Sequence, residues 1–154
     1  MDIILKYTKH SKERSTGQEN YFNSKEEVQE YFLNLHNKEG NNNYFFFNRE
    51  RKYENEEIKI LRRFDAKDGS KNVVTENDNI YFLFYGEVIA KAKYVRMKNP
   101  KRDDKFVNGY KVRNILILGS PQKLEKDPFN NENSLYYIKD EDKELKKELK
   151  KLFK

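Results

Sequence analysis

The most apolar stretch of the chain is NIYFLFY, residues 79–85, and the residues around it are heavily charged. Successive side chains of a β-strand point to opposite faces, so both faces of this segment are apolar. One face holds Ile80, Phe82 and Phe84, and the other holds Tyr81, Leu83 and Tyr85. A strand with one face in water alternates polar and apolar residues instead. We therefore expect both faces to be buried, one in the lumen of a small barrel and the other beneath a helix.

A second predicted strand, residues 87–96, follows directly and alternates more cleanly. Its apolar positions are Val88, Ala90, Ala92 and Tyr94, and its charged positions are Glu87, Lys91 and Lys93. Gly86 lies between the two strands, where a tight turn requires a positive φ. The pattern predicts an antiparallel hairpin that turns at Gly86, with the small residues on the crowded side of the barrel.

Two other segments have the periodicity of an amphipathic helix. Ser24 and Glu27 match a capping box, and an apolar stripe follows: Val28, Tyr31, Phe32 and Leu35. In the C-terminal segment, which is rich in Lys and Glu, one face holds Leu145, Leu149 and Leu152. We expect one domain over residues 1–138, and a charged helix over residues 139–154 that either packs on this domain or links it to another.

The remaining apolar segments are short and are bounded by turn residues. They predict strands at residues 2–7, 43–48, 58–61, 110–118 and 134–138, and Gly119-Ser120-Pro121 is expected to end the fourth of them. Together the patterns indicate an α+β fold, namely a small, mostly antiparallel β-barrel flanked by helices.

The composition indicates a folded chain with a charged surface. Of the 154 residues, 38% are charged, while 11 Tyr and 11 Phe supply the core residues that a disordered chain lacks. The net charge of +6 is compatible with a polyanionic partner. The absence of Cys excludes disulfides, thiolate zinc sites and cysteine nucleophiles. Because no segment reaches the roughly 18 apolar residues of a membrane span and no signal peptide is found, we expect a cytoplasmic protein without membrane association.

The segment NDNIYFLFYGEVIAKAKYV, residues 77–95, resembles a signature of the PUA-like superfamily, which includes the EVE, ASCH and YTH domains. The positions that match this signature are Gly86, Val88, Ala90, Ala92, Tyr94 and Val95. The segment NYFFFNRERKYENE, residues 43–56, is similar to the opening strand of EVE-type domains, with Asn48 and Tyr53 at the matching positions. The chain has neither the Trp of YTH-type aromatic cages nor the Gly-x-Lys-x-x-Glu-x-Arg motif of ASCH domains.

This resemblance implies nucleic-acid binding, with a base flipped into a pocket of the barrel. EVE-type domains serve as specificity modules in McrB-like restriction proteins. The expected function is therefore the reading of a modified base in DNA within a restriction or defence protein, with DNA favoured over RNA as the partner. The chain could be fused to, or assemble with, a restriction motor or nuclease subunit, and no cofactor or metal is implied. An RNA-binding module of the same fold is the alternative.

The base pocket expected from the resemblance comprises Phe47, Asn48, Tyr53 and Tyr85. Asn48 carries the amide donors and the carbonyl acceptor that read the polar edge of a base. Tyr53 and Tyr85 could stack on the base face. The nearby cations, expected to contact the nucleic-acid backbone, are Arg49, Arg51 and Lys52. Alternatively, Tyr53 belongs to the core and Asn48 holds a turn.

A second basic segment covers residues 96–111, where six Lys and Arg residues accompany two Asp residues. The predicted phosphate contacts are Lys98, Lys101, Arg102 and Lys105. Met97 and Phe106 are apolar, and we expect them to act as a wedge between base steps. A solvated hairpin loop would show the same charge pattern and is the alternative.

Catalytic patterns are weaker. Glu57-Ile58-Lys59 and Asp65-Ala66-Lys67 resemble the end of a PD-(D/E)xK nuclease motif, so a small metal-dependent nuclease is a further alternative. His10 and His36 are isolated, and neither lies in a His-x-x-x-His or similar metal-binding pattern. The chain has no phosphate-binding glycine loop and no Gly-x-Ser-x-Gly elbow. We expect a binding domain without catalytic activity, and a protein–protein adaptor is the remaining alternative.

Overall fold

The structure is a computed structural model that describes residues 1–7, 22–39, 43–46, 74–97, 109–129 and 135–154. Within these residues it contains six strands and two helices. Their bounds are β1 Ile3–Tyr7, α1 Lys25–Glu39, β2 Asn43–Phe46, β3 Asn79–Phe84, β4 Glu87–Met97, β5 Gly109–Lys123, β6 Leu135–Tyr137 and α2 Lys143–Leu152.

The six strands form one sheet in the order β2-β5-β4-β3-β1-β6. The pairing of β1 with β3 is parallel, and the other four pairings are antiparallel. The α+β class and the mostly antiparallel sheet are therefore confirmed. Among the described strands, β2 and β6 lie at the two edges of an open sheet, so closure into a barrel stays a prediction.

β3 and β4 form the predicted hairpin, and a two-residue turn joins them. Phe84 pairs with Glu87, while Tyr85 has φ 48° and Gly86 has φ 79°. Two positive φ values are typical of a type I′ turn, whose twist matches that of the flanking strands. Each residue from Ile80 to Phe84 is at most 6% exposed. The hairpin is confirmed, and so is the burial of both faces for residues 80–84. The prediction was wrong for Tyr85, which lies in the turn and is 58% exposed.

On one face of the sheet, α1 covers a layer of aromatic side chains. Val28 and Phe32 of α1 are buried, and the Phe32 ring centroid lies 4.5 Å from that of Phe82. Tyr7 of β1 meets Phe32 edge-on, with ring centroids 5.5 Å apart. The apolar stripe predicted on this helix therefore faces the sheet, except that the side chain of Leu35 lies outside the described part.

The predicted capping box begins α1. The Glu27 N–H donates to Ser24 Oγ at 3.3 Å, and the Asn23 N–H donates to Glu27 Oε2 at 2.7 Å. In the usual form of this motif the carboxylate accepts from the N–H of the capping residue itself. Here it accepts from the residue before, and two backbone donors at the helix start are still satisfied.

On the opposite face of the sheet, α2 covers a second and smaller core. Leu149 is buried against a cluster that includes Ile4 and Leu83, and Leu145 and Leu152 pack around it. The side chain of Glu148 also accepts a hydrogen bond from the backbone of the loop after β5, at 2.8 Å. Of the two roles that the sequence left open for this helix, the structure shows packing on the sheet.

β5 is longer than the sequence predicted. It continues to Lys123, through the Gly119-Ser120-Pro121 segment that was expected to end it. Ala90 pairs with Ile117 and Val88 pairs with Gln122, so residues 118–121 lie opposite a single β4 residue. Such an irregularity accommodates Pro, because the missing N–H falls where the ladder is already interrupted. The predicted strand end was wrong for this reason.

Two other strand predictions extend beyond the described residues. The strand predicted at 43–48 is described to Phe46, and residues 47 and 48 lie outside the described part. The whole of the strand predicted at 58–61 also lies outside it.

Two carboxylates hold the start of β1 beside the start of β3. Asp78 Oδ2 lies 2.5 Å from the N-terminal ammonium and accepts hydrogen bonds from the Thr75 N–H at 2.8 Å and hydroxyl at 3.0 Å. Asp2 accepts from the N–H and the side-chain amide of Asn79, at 2.8 and 3.1 Å. These contacts align the two strands and support their parallel pairing.

The aromatic layer under α1 predicts a large cost for truncating its central ring. Phe82 is fully buried, so Phe82→Ala should lower the free energy of unfolding by about 3–5 kcal/mol. Leu33→Ala is the control, because Leu33 lies on the outer side of α1 and is 49% exposed. Urea unfolding followed by circular dichroism would measure both, and equal losses would contradict the placement of the core.

The Asp78 contacts predict a loss of stability in acid. Partial burial raises the pKa of the Asp78 carboxyl. The hydrogen bonds from the N-terminal ammonium and from Thr75 together lower this pKa by more than burial raises it, so the net pKa lies below the ordinary value of 3.8. A lowered folded-state pKa stabilises the protein above pH 3.8, and this stabilisation is lost as the pH falls through the folded-state pKa.

Asp78→Asn should therefore cost roughly 1 kcal/mol at pH 7, a small value because the site is screened by solvent. The difference from wild type should shrink as the pH falls below 3.8. Asp140→Asn is the matched control, because Asp140 is fully exposed. Urea titrations at pH 7 and pH 3 would measure these differences, and a cost for Asp78→Asn that is unchanged at pH 3 would refute the assignment.

Candidate nucleic-acid interface

Three strand ends meet at one corner of the sheet. β2 runs antiparallel to β5, with Phe46 opposite Gly109, and β4 ends with Met97 opposite Tyr110. The end of β2, the end of β4 and the start of β5 are therefore adjacent. The predicted pocket segment follows Phe46 in the sequence, and the second basic segment connects β4 to β5. The topology attaches both predicted binding segments to this corner.

Most of the predicted site residues lie outside the described part of the chain. They are Phe47, Asn48, Arg49, Arg51, Lys52, Tyr53, Lys98, Lys101, Arg102, Lys105 and Phe106. Glu57 and Asp65 of the nuclease alternative also lie outside it, and so does His10. Met97 is described by its backbone as the last residue of β4, at the corner.

Tyr85 lies at the other end of the hairpin. β4 extends from Glu87 to Met97, and ten steps of strand span about 33 Å. Tyr85 is 58% exposed, and its ring centroid lies 4.6 Å from that of Phe84. Its left-handed backbone is uncommon for a bulky residue. The structure thus separates Tyr85 from Phe46, the point at which the chain enters the predicted pocket segment.

The α2 side of the sheet carries a group of cations beyond the part that α2 covers. Lys93 of β4 pairs with Arg113 of β5, and Lys91 pairs with Leu116. Residues that pair directly share a face of the sheet, and Leu116 is 51% exposed there. We call Lys91, Lys93, Arg113 and Leu116 the basic face. The sequence pattern indicates the two lysines only as charged positions of β4, and it does not indicate that β5 contributes to the same face.

The cations of the basic face differ in their partners. Arg113 donates a hydrogen bond to Asn77 Oδ1, and its guanidinium lies 3.7 Å from Glu76 Oε1. The Lys91 ammonium lies 5.3 Å from the centre of the Phe153 ring. Burial lowers the pKa of Lys91, and the charge of Lys93 lowers it further, while Asp2 opposes both. Within the described residues, Lys93 has no hydrogen-bond or ion-pair partner.

Other chemistry is limited within the part of the chain that the structure describes. There, no three His, Asp or Glu side chains are close enough to hold a metal ion. No helix in the described ranges is both long and apolar enough to cross a membrane. Between α2 and the irregular part of β5 lies an open groove of about 550 Å³, with Ser120, Lys123 and Lys151 among its polar lining residues.

Comparisons with models of protein families, with curated proteins and with solved structures found no match.

Proposed function

We propose that this chain is a non-catalytic specificity domain that binds duplex DNA and reads a modified base within a restriction or defence protein. The observation that carries the proposal is the common corner at Phe46, Met97 and Gly109. The two segments expected to bind nucleic acid are far apart in sequence, and the sheet attaches them to adjacent strand ends. A single duplex could therefore contact both.

The charge of these segments supports a phosphate-rich partner. Residues 96–111 carry six Lys and Arg against two Asp, and residues 49–53 add Arg49, Arg51 and Lys52. Basic side chains bind phosphates by releasing condensed counterions, which gives an affinity that falls steeply with salt. We also propose that the sheet closes into a barrel, since the mouth of the barrel at this corner would form the base pocket.

The first test is the salt dependence of binding. A triple variant should weaken binding to all duplex sequences alike, because phosphate contacts carry no sequence information. This variant replaces Lys98, Lys101 and Arg102 by Glu. If each contacts one phosphate, the slope of log affinity against log salt should fall by up to about 2.7. Fluorescence anisotropy with a labelled duplex, from low to moderate salt, would measure it.

A matched control reverses Lys143, Lys147 and Lys150, which are all exposed on α2. This control changes the net charge equally at another place. Equal slopes for the two triple variants would refute a specific role of the basic segment. Cleavage of the duplex in Mg²⁺, lost in Glu57→Ala or Lys59→Ala, would instead establish the nuclease alternative.

The second test concerns the pocket. Tyr53→Ala and Asn48→Ala should each remove the preference for a modified over a plain duplex. The loss should be of the order of one stacking contact, roughly 1–3 kcal/mol. Binding to plain duplex should remain. A panel of plain, N6-methylated and C5-modified duplexes, with the same sequences as RNA, would measure the preference and separate DNA from RNA.

Melting curves of both variants distinguish a pocket from a core role. If Tyr53→Ala unfolds the domain, Tyr53 is a core residue. If both variants are folded and discriminate as well as wild type, the pocket lies elsewhere.

A further inference from the structure

We infer that the basic face binds the phosphodiester backbone of nucleic acid. The bound nucleic acid would extend from the corner across β4 and β5. This inference rests on the proposed function and names the path of the partner. The four residues of the basic face carry it, and they lie outside the predicted pocket segment and outside residues 96–111.

The first reason is that the cations of the basic face repel one another in the free protein. Lys93 and Arg113 are directly opposed, and like charges in this arrangement destabilise a sheet. Lys91 is two residues from Lys93 on the same strand face, about 7 Å away. Burial lowers the pKa of Lys91, and the charge of Lys93 adds a smaller lowering of this pKa. An anion bound over the face would offset this repulsion.

The second reason is that the nearby carboxylates compensate the charges incompletely. Asp2 is already bonded to Asn79 through both oxygens. Glu76 reaches Arg113 at 3.7 Å and is itself 61% exposed, so that this pair is a weak surface contact. Lys93 has no counter-ion among the described residues.

The third reason is the shape and position of the face. Leu116, 51% exposed, shows that neither helix covers this part of β4 and β5. The basic face is an extended two-strand surface and not an enclosed cavity, which suits a linear polyanion better than a small anion. It also continues along β4 toward Met97, the strand end at the corner. A phosphate chain that leaves the corner first meets the opposed pair Lys93 and Arg113, and then Lys91.

The test uses the full chain and the slope of log affinity against log salt for a labelled duplex. Lys93→Gln removes one cation without removing any described contact, and it should lower the slope by about 0.9, the value for one phosphate of B-DNA. The melting temperature should not fall, because a repulsion is removed. Leu116→Glu adds a carboxylate to the basic face, and it should lower the affinity for the duplex at low salt without removing any cation.

Lys147→Gln is the matched control, since Lys147 is an exposed lysine on α2, and it should leave the slope unchanged. The slope counts phosphates and does not depend on the fraction of folded protein. If Lys93→Gln has the slope of Lys147→Gln while the triple reversal at 98, 101 and 102 lowers it, this inference fails and the proposed function stands. If wild type binds no nucleic acid, the proposed function fails, and this inference fails with it. Wild type that prefers an acidic peptide to the duplex would overturn both.

Discussion

The burial of β3 on both faces is the constraint on which the rest of the structure depends. A strand whose five residues from Ile80 to Phe84 are all buried must lie inside a sheet and must have a cover on each side. β4 and β1 flank it, α1 covers one face and α2 the other. The transfer of each such side chain out of water stabilises the folded state by about 1.5–3 kcal/mol. These gains fix the layers of the fold.

The two covers are unequal, and this asymmetry produces the candidate binding surface. α1 and the segment before it contribute Phe22, Val28 and Phe32 to a broad aromatic layer. The ten-residue α2 supplies only a short row of leucines, of which Leu149 is fully covered. The sheet is wider than α2, so the outer parts of β4 and β5 on this side remain open. Three of the four basic-face residues at these positions are charged, and the fourth, Leu116, is apolar and 51% exposed.

Irregularities in β5 decide which residues share a face. β5 has 15 residues and β4 has 11, and the excess is absorbed in bulges. Lys93 pairs with Arg113 and Lys91 with Leu116, so that two β5 residues lie opposite one of β4. The extra residue is accommodated at Asn114, which has φ 55°, a conformation that Asn adopts more readily than most residues. Arg113 and Leu116 are three apart in sequence and yet lie on the same face.

The local patterns alone determined much of this protein. The double apolar alternation of residues 80–84, the glycine at the turn and the Ser24–Glu27 cap depend on near neighbours in the chain, and the hairpin and the start of α1 followed from them. The sequence also marked residues 96–111 as basic. Only the tertiary structure decided that α2 packs on the sheet, that β5 continues past Pro121, and that Arg113 joins the lysines of β4. A bulge shifts the alternation by one residue and is specified by the partner strand. Pairing of β2 with β5 joins segments more than 60 residues apart, and no local pattern encodes such a contact.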